Sequence, residues 1–207
     1  MVRYSLLRTV LDPLLAVAGP QGLVRLEFLP EAWEYHIRAH AIARQLFAQT
    51  RVQAAAAGAE ELDPEPGASA PAAPVLEIHE DPAHFTALRD QLAEYFTGQR
   101  TEFDIAVDLH GTPFQLSVWK QLLRIPYGKL RTYGQVASAM RKPRATRAVG
   151  QAAGQNPVPI LVPCHRVVGK GGSLVGFAGG ITTKARLLRL EGHTLGKSTR
   201  IEEPRLF

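Results

Sequence analysis

The chain holds one cysteine. It sits in Pro163-Cys164-His165-Arg166, inside the run Asn156-Pro157-Val158-Pro159-Ile160-Leu161-Val162-Pro163-Cys164-His165-Arg166-Val167-Val168. A thiol reacts as its thiolate, so its surroundings decide whether it does chemistry. An imidazole next in sequence, the cationic Arg166 and flanking prolines make a setting that lowers a thiol pKa and supplies a base. A single thiol closes no internal disulfide and furnishes no multi-cysteine zinc site. By itself a lone cysteine is more often an inert buried apolar side chain. In a strand, moreover, Cys164 and His165 would point to opposite faces. What decides is the set of elements that position them.

The first of those elements read as β over residues 4–28. Two β-rich runs, 14–18 and 23–28, flank Gly19-Pro20-Gln21-Gly22, a hairpin signal. A helix is expected over 31–57, with Trp33, Ile37, Ala41, Arg44 and Ala48 at helical spacing. Residues 58–74, rich in Ala, Pro, Glu and Gly without periodicity, read as a mobile loop. A strand at 75–79 precedes a helix over 82–96 that aligns Phe85, Leu88, Leu92 and Phe96 and closes at Gly98. Further on, Thr112 caps a helix reaching residue 123, with Pro113 in its first turn. Thr132 caps a short helix over 133–140, and after Pro143 another spans 145–153. Two short helices joined by a turn containing Lys142 and Pro143 are a helix-turn-helix candidate, or an ordinary helical pair. A β-like stretch covers 161–168, a turn 169–172, and Thr182 or Thr183 starts a last helix ending at residue 190.

At 207 residues the chain suits one large or two small domains. Hydrophobic and charged fractions of 45% and 21% are ordinary globular values. The net charge of +5 and pI near 9.6 permit a polyanionic partner. The basic residues are uneven: Lys129, Arg131, Arg141, Lys142, Arg144, Arg147, Arg166 and Lys170 crowd one stretch, which favours phosphate contacts. Arg3 and Arg8 interrupt any secretory leader, and no run approaches the ~20 apolar residues of a membrane helix. A free thiol fits a reducing interior, cytoplasmic or nucleoid-associated.

The cysteine run has company in fixed order: Gly111-Thr112-Pro113-Phe114-Gln115 with Val118-Trp119, Ile125-Pro126-Tyr127-Gly128, Thr132-Tyr133-Gly134 and Arg147-Ala148-Val149-Gly150 before it. Gly176-Phe177-Ala178-Gly179-Gly180 and Glu191-Gly192-His193 follow. Together these segments closely resemble the O6-alkylguanine-DNA alkyltransferases (methylated-DNA–protein-cysteine methyltransferases), strongly from about Gly111 to His193 and weakly before about Leu76. The resemblance implies an α/β fold: an N-terminal α/β domain with a small antiparallel sheet (1–100) and a mainly helical C-terminal domain with a helix-turn-helix (111–197), then a tail (198–207).

It implies roles as well. Cys164 attacks the alkyl carbon, and His165 takes the thiol proton through a water. Glu191 orients His165, Asn156 braces the adjacent turn, and Tyr133 donates to a ring nitrogen of the leaving guanine. A base inside a duplex hides its reactive atom, so it must be flipped out. Arg147 would fill the vacated stack, while Ala148, Gly150 and Ala153 let the second helix approach the minor groove. Pro159, Val167, Phe177 and Ala178 would line the base pocket. Many relatives carry Tyr where Phe177 stands, so the ring can still stack but has no hydroxyl to offer. The implied partner is duplex DNA bearing O6-alkylguanine, and O4-alkylthymine too. The protein would act as a monomer, with cooperative binding along DNA open to it.

No cofactor is implied, because the substrate is the alkyl donor. Some relatives hold a structural zinc in the N-terminal domain; this chain has no cysteine there, and His36, His40, His79 and His84 read as ordinary histidines. Three other readings compete. A cysteine hydrolase leaves the basic helices idle, and a helix-turn-helix regulator leaves Pro-Cys-His-Arg idle. A lesion-recognising DNA-binding protein without repair would need no cysteine.

Overall fold

Alternation builds the N-terminal part. β1 (Val2–Leu7), β2 (Leu14–Gly19) and β3 (Gly22–Phe28) form an antiparallel meander. The turn between β2 and β3 falls at the Gly-Pro-Gln-Gly signal. Leu14 to Val17 are all fully buried, because both faces of β2 are covered. Leu15 and Val17 join Tyr4, Val24, Ala39 and Ile42 in one cluster. Leu14, Ala16 and Ala18 enter a larger one with Leu92, Trp119, Val149 and Cys164. The inner face of the sheet therefore shares its core with the segment that carries the cysteine.

The computed structural model describes residues 1–29, 35–56, 77–196 and 200–201. The expected loop at 58–74 and Trp33 lie outside the described residues. α1 (Tyr35–Ala56) covers the outer sheet face, but not with the expected stripe. Ile37, Ala41, Arg44 and Ala48 are exposed, while Ala39, Ile42 and Ala43 are buried. Alanine populates every side of this helix, so spacing alone did not fix its inner face. Small Ala39 and Ala43 let the backbone approach the sheet.

The sheet is also not wholly antiparallel. β4 (Ile78–Glu80) pairs parallel to β1, giving the order β3-β2-β1-β4. Returning through a helix delivers the strand in the same direction as β1. The 82–96 helix opens as a 3₁₀ turn at Pro82–Phe85, and α2 then runs Thr86–Phe96, burying Leu88, Leu92 and Tyr95.

The rest is helical and locally well specified. α3 (Pro113–Leu122) and α4 (Tyr133–Ala139) each begin with a reciprocal capping box, Thr112 with Gln115 and Thr132 with Gln135. A turn at Pro143–Ala145 leads into α5 (Thr146–Gly154), packed on α3 and α4. α6 (Gly180–Leu190) starts earlier than the threonines suggested, with Gly179 as its cap. The expected 161–168 strand is the largest departure. Only β6 (Val167–Val168) is a strand, paired parallel to β5 (Arg131–Thr132). Cys164–Arg166 is a 3₁₀ turn. Among the described residues no helix is long and apolar enough to cross a membrane, and no group of three or more His, Cys, Asp or Glu is arranged to hold a metal.

Candidate active site

Pro163 cannot donate to a ladder, and the chain tightens instead: Cys164 N–H donates to Val162 O at 2.8 Å and Arg166 N–H to Pro163 O at 3.0 Å. In this turn the opposite-faces argument for a strand no longer applies. Just before it, Ile160 takes φ +75°, a left-handed conformation costly for a β-branched side chain, of order ~1–3 kcal/mol. Asn156 holds that turn closed. Its Oδ1 accepts from Val158 N–H at 3.1 Å, and its Nδ2 donates to Val162 O at 2.7 Å and to Cys164 Sγ at 3.0 Å. α5 ends at Gly154 with Gln155 as its C-cap, so the Asn156 side chain is free to brace the cysteine turn.

Glu191, just past α6, gathers donors around a carboxylate with no solvent exposure. Arg166 donates from Nε and Nη2 at 2.9–3.0 Å, Tyr95 Oη at 2.7 Å and Gly128 N–H at 3.1 Å; His165 Nε2 lies at 2.9 Å. Burial pushes the carboxyl pKa up, but His165 and the Arg166 guanidinium overcome this and hold it well below the usual carboxylate range. With Nε2 donating to Glu191, the neutral imidazole presents Nδ1 as an acceptor; this tautomer is inferred from the network. Nδ1 is buried and makes no hydrogen bond to the protein. Burial lowers the His165 pKa, a base kept neutral.

The thiol departs from the sequence expectation. Burial raises the Cys164 pKa, opposed by the Asn156 hydrogen bond, by the charge of Lys184 and by nearby backbone N–H groups. Arg166 does not act on it, since its guanidinium is committed to Glu191 and to Ile125 O. For the same reason Arg166 is not available to the basic cluster, whereas Lys129, Arg141, Lys142, Arg144, Arg147 and Lys170 are exposed.

Lys184, fully buried on α6, is the side-chain cation whose charge acts on the thiol among the described residues. Its Nζ donates to Val167 O at 2.6 Å and Val175 O at 3.1 Å, and burial lowers its pKa to about 8. Val167, one of the residues expected to line the base pocket, thus has its carbonyl already accepting from Lys184. Tyr133 Oη donates to Val175 O at 3.0 Å, and burial raises its pKa to about 12. Its hydroxyl would have to leave Val175 to meet a base.

The remaining expected residues fall in two places. Arg147 is exposed on α5, Ala148 and Gly150 are half-buried, and Ala153 is buried in the core. Ala153 therefore packs the helix rather than meeting a groove. Gly150 lies against the Tyr133 ring, where a Cβ would sit 3.8 Å away. Pro159 and Ala178 line a cleft of about 460 Å³ that also exposes Phe28, and the Phe177 ring meets Phe28 edge-on.

Sequence reasoning missed Tyr95 and Lys184 and misassigned Arg166. Two of these carried a signal. Tyr95 lies three residues past Leu92 on the apolar stripe of α2. Lys184 and Glu191, seven apart, fall on the stripe of Leu187 and Leu188.

Known proteins share the sequence and the fold. A family model described as "6-O-methylguanine DNA methyltransferase, DNA binding domain" matches residues 113–193. A methylated-DNA–protein-cysteine methyltransferase of Mycobacterium tuberculosis is 55% identical over 111 residues, 54% of this chain and 67% of that protein. The crystal structure of a Mycobacterium tuberculosis O6-methylguanine methyltransferase matches with TM-score 0.68 and 38% identity, covering 92% of this chain and 93% of the other. A Mycobacterium tuberculosis structure in complex with DNA matches with TM-score 0.67 and 36% identity over the same shares.

Proposed function

This chain belongs to the methylated-DNA–protein-cysteine methyltransferases, and we propose that Cys164 is the residue that receives the alkyl group. The protein is a DNA-repair enzyme that moves an alkyl group from damaged DNA to itself. The observation that carries the assignment of roles is a buried relay: the chain's one thiol adjoins His165, whose Nε2 is fixed by Glu191 and whose Nδ1 is left to accept a proton.

The substrate is guanine alkylated at its exocyclic oxygen, or thymine alkylated at O4, flipped from a duplex. α4 and α5 act as a helix-turn-helix at the minor groove, with Arg147 filling the gap left by the base. The exposed cations around them contact phosphates. His165 Nδ1 takes the thiol proton through a water, and Lys184 and Asn156 stabilise the resulting thiolate. Sulfur attacks the alkyl carbon, the sulfur–carbon bond forms and the carbon–oxygen bond breaks. The guanine leaves as an anion, and Tyr133 donates to its ring nitrogen before a proton neutralises it. The products are an S-alkylcysteine and a restored base. Residues 1–100 and 111–197 serve as a supporting and a reacting unit, and the protein works beside DNA inside the cell.

A lesion reader without repair is disfavoured by the relatives' name and by the cysteine itself. The test is duplex DNA carrying a labelled methyl on the guanine oxygen, incubated with the protein and with Cys164→Ala. Label should appear on the Cys164 peptide of the wild type and nowhere on the variant, which still binds DNA. Label on the Cys164→Ala protein overturns the assignment.

A further inference from the structure

We infer that Phe28, at the end of β3, is a positioning residue that sets where one wall of the base pocket stands; this rests on reading the Gly176 to Gly180 loop as that wall. Gly176 and Gly180 take φ +49° and +83°, conformations that favour glycine, so the loop turns at both ends where a side chain would be strained. Gly179 is different. Its φ of −83° suits any residue, yet a Cβ there would lie 2.6 Å from Phe28 Cδ2 and 3.0 Å from both Phe28 Cε2 and Phe177 Cε1. Glycine is required at this point chiefly by the space the Phe28 ring fills, with the Phe177 ring beside it. The Phe177 ring also meets Phe28 edge-on, with centroids 5.9 Å apart at 61°.

Phe28 itself is pinned. It pairs with Leu14 in the sheet, and Leu29 N–H donates to Pro13 O at 2.9 Å. Two residues earlier, Leu26 N–H donates to Pro157 O at 2.9 Å, tying the same strand to the turn that carries Pro159. One strand thus holds both sides of the pocket, by a backbone bond at Pro157 and by a ring at Gly179. The cleft shared by Phe28, Pro157, Pro159 and Ala178 gives the loop room to retreat once the ring is removed. A stacking wall that retreats binds a base less well but leaves the Cys164 relay untouched.

The test is single-turnover labelling of the full-length protein by free O6-benzylguanine, read as a half-saturation concentration and a limiting rate. Phe28→Ala should raise half-saturation about tenfold, the effect of removing one aromatic pair, with the limiting rate unchanged. Phe28→Leu should recover most of the loss. Gly179→Ala should raise half-saturation in the wild type and add much less in the Phe28→Ala background, because its tightest contact is gone and only the one with Phe177 remains. If Phe28→Ala does not fold, the Gly179→Ala effect is compared between the wild type and Phe28→Leu, where it should shrink. Unchanged half-saturation, a fall confined to the limiting rate, or full additivity with Gly179→Ala overturns the inference. A wild-type protein that takes no label at Cys164 would instead refute the functional reading.

Discussion

The N-terminal sheet buries leucine, valine and alanine; residues 164–191 bury a histidine, an arginine, a lysine and a glutamate. Apolar burial stabilises wherever it fits, at about 25 cal/mol per Å². Buried charge costs energy unless every partner is present, and it is weak support for a fold. Glu191 has its partners in full, and Lys184 has two carbonyls. The comparison teaches that the second region accepts an expensive interior because its chemistry needs fixed charge near a thiol. The first region supplies the packing that holds it. Mutations should therefore separate the two regions by which quantity they change.

Glu191→Gln should have the largest effect on chemistry among relay variants that keep the thiol. His165 loses its charge partner and Arg166 is left buried without a counter-charge, so transfer should slow by about 10²-fold or more. Stability should fall as well, by about 3–5 kcal/mol. The pH dependence follows from the depressed Glu191 pKa. Its stabilisation is present above the ordinary carboxylate range and is lost as pH falls through and below it, so the variant should show a flatter acid melting profile. Equal acid sensitivity in calorimetry would place Glu191 outside the relay.

Arg147→Ala comes next. It should weaken repair in duplex DNA by about tenfold or more while leaving reaction with a free benzylated base intact, since extrusion costs a few kcal/mol and displacement does not use this side chain. Equal losses on both substrates would refute the separation.

Lys184→Met sharpens the comparison from within the charged region. The thiol pKa should rise, slowing labelling about tenfold at neutral pH. In the wild type Lys184 loses its proton near pH 8, so its help to the thiolate fades above that value. The folded-state pKa is below the unfolded one, so the cost of burying this charge is relieved as pH rises from about 8 towards about 10.4. Superimposable pH–rate profiles would remove Lys184 from the site. The smallest effect on chemistry belongs to Leu14→Ala. It should cost about 2–5 kcal/mol of stability and leave the limiting transfer rate of the folded protein unchanged. A slower limiting rate would break the division between the regions.

What the sequence carried follows the same division by range. The capping boxes at Thr112 and Thr132, the hairpin at Gly19 to Gly22 and the cysteine run are local signals, and each reads directly from neighbours in the chain. Tertiary outcomes were harder. The parallel pairing of β4 depends on how α1 crosses the sheet. The inner face of α1 depends on close approach rather than hydropathy. The turn at Cys164 arises because Pro163 removes a donor from a stretch otherwise rich in β-branched residues. Arg166 looked like a partner for the thiol because it lies two residues away; the structure commits it to a carboxylate 25 residues on.

The central claim is that Cys164 takes the alkyl group once and keeps it. A thioether has no leaving route here, since the chain offers no second thiol to cleave it. The direct measurement is a titration with excess duplex DNA bearing O6-methylguanine, followed by quantification of repaired DNA and by mass spectrometry of the protein. One repaired base per chain and one methyl group on Cys164 are expected. Several repaired bases per chain with Cys164 unmodified would contradict that claim.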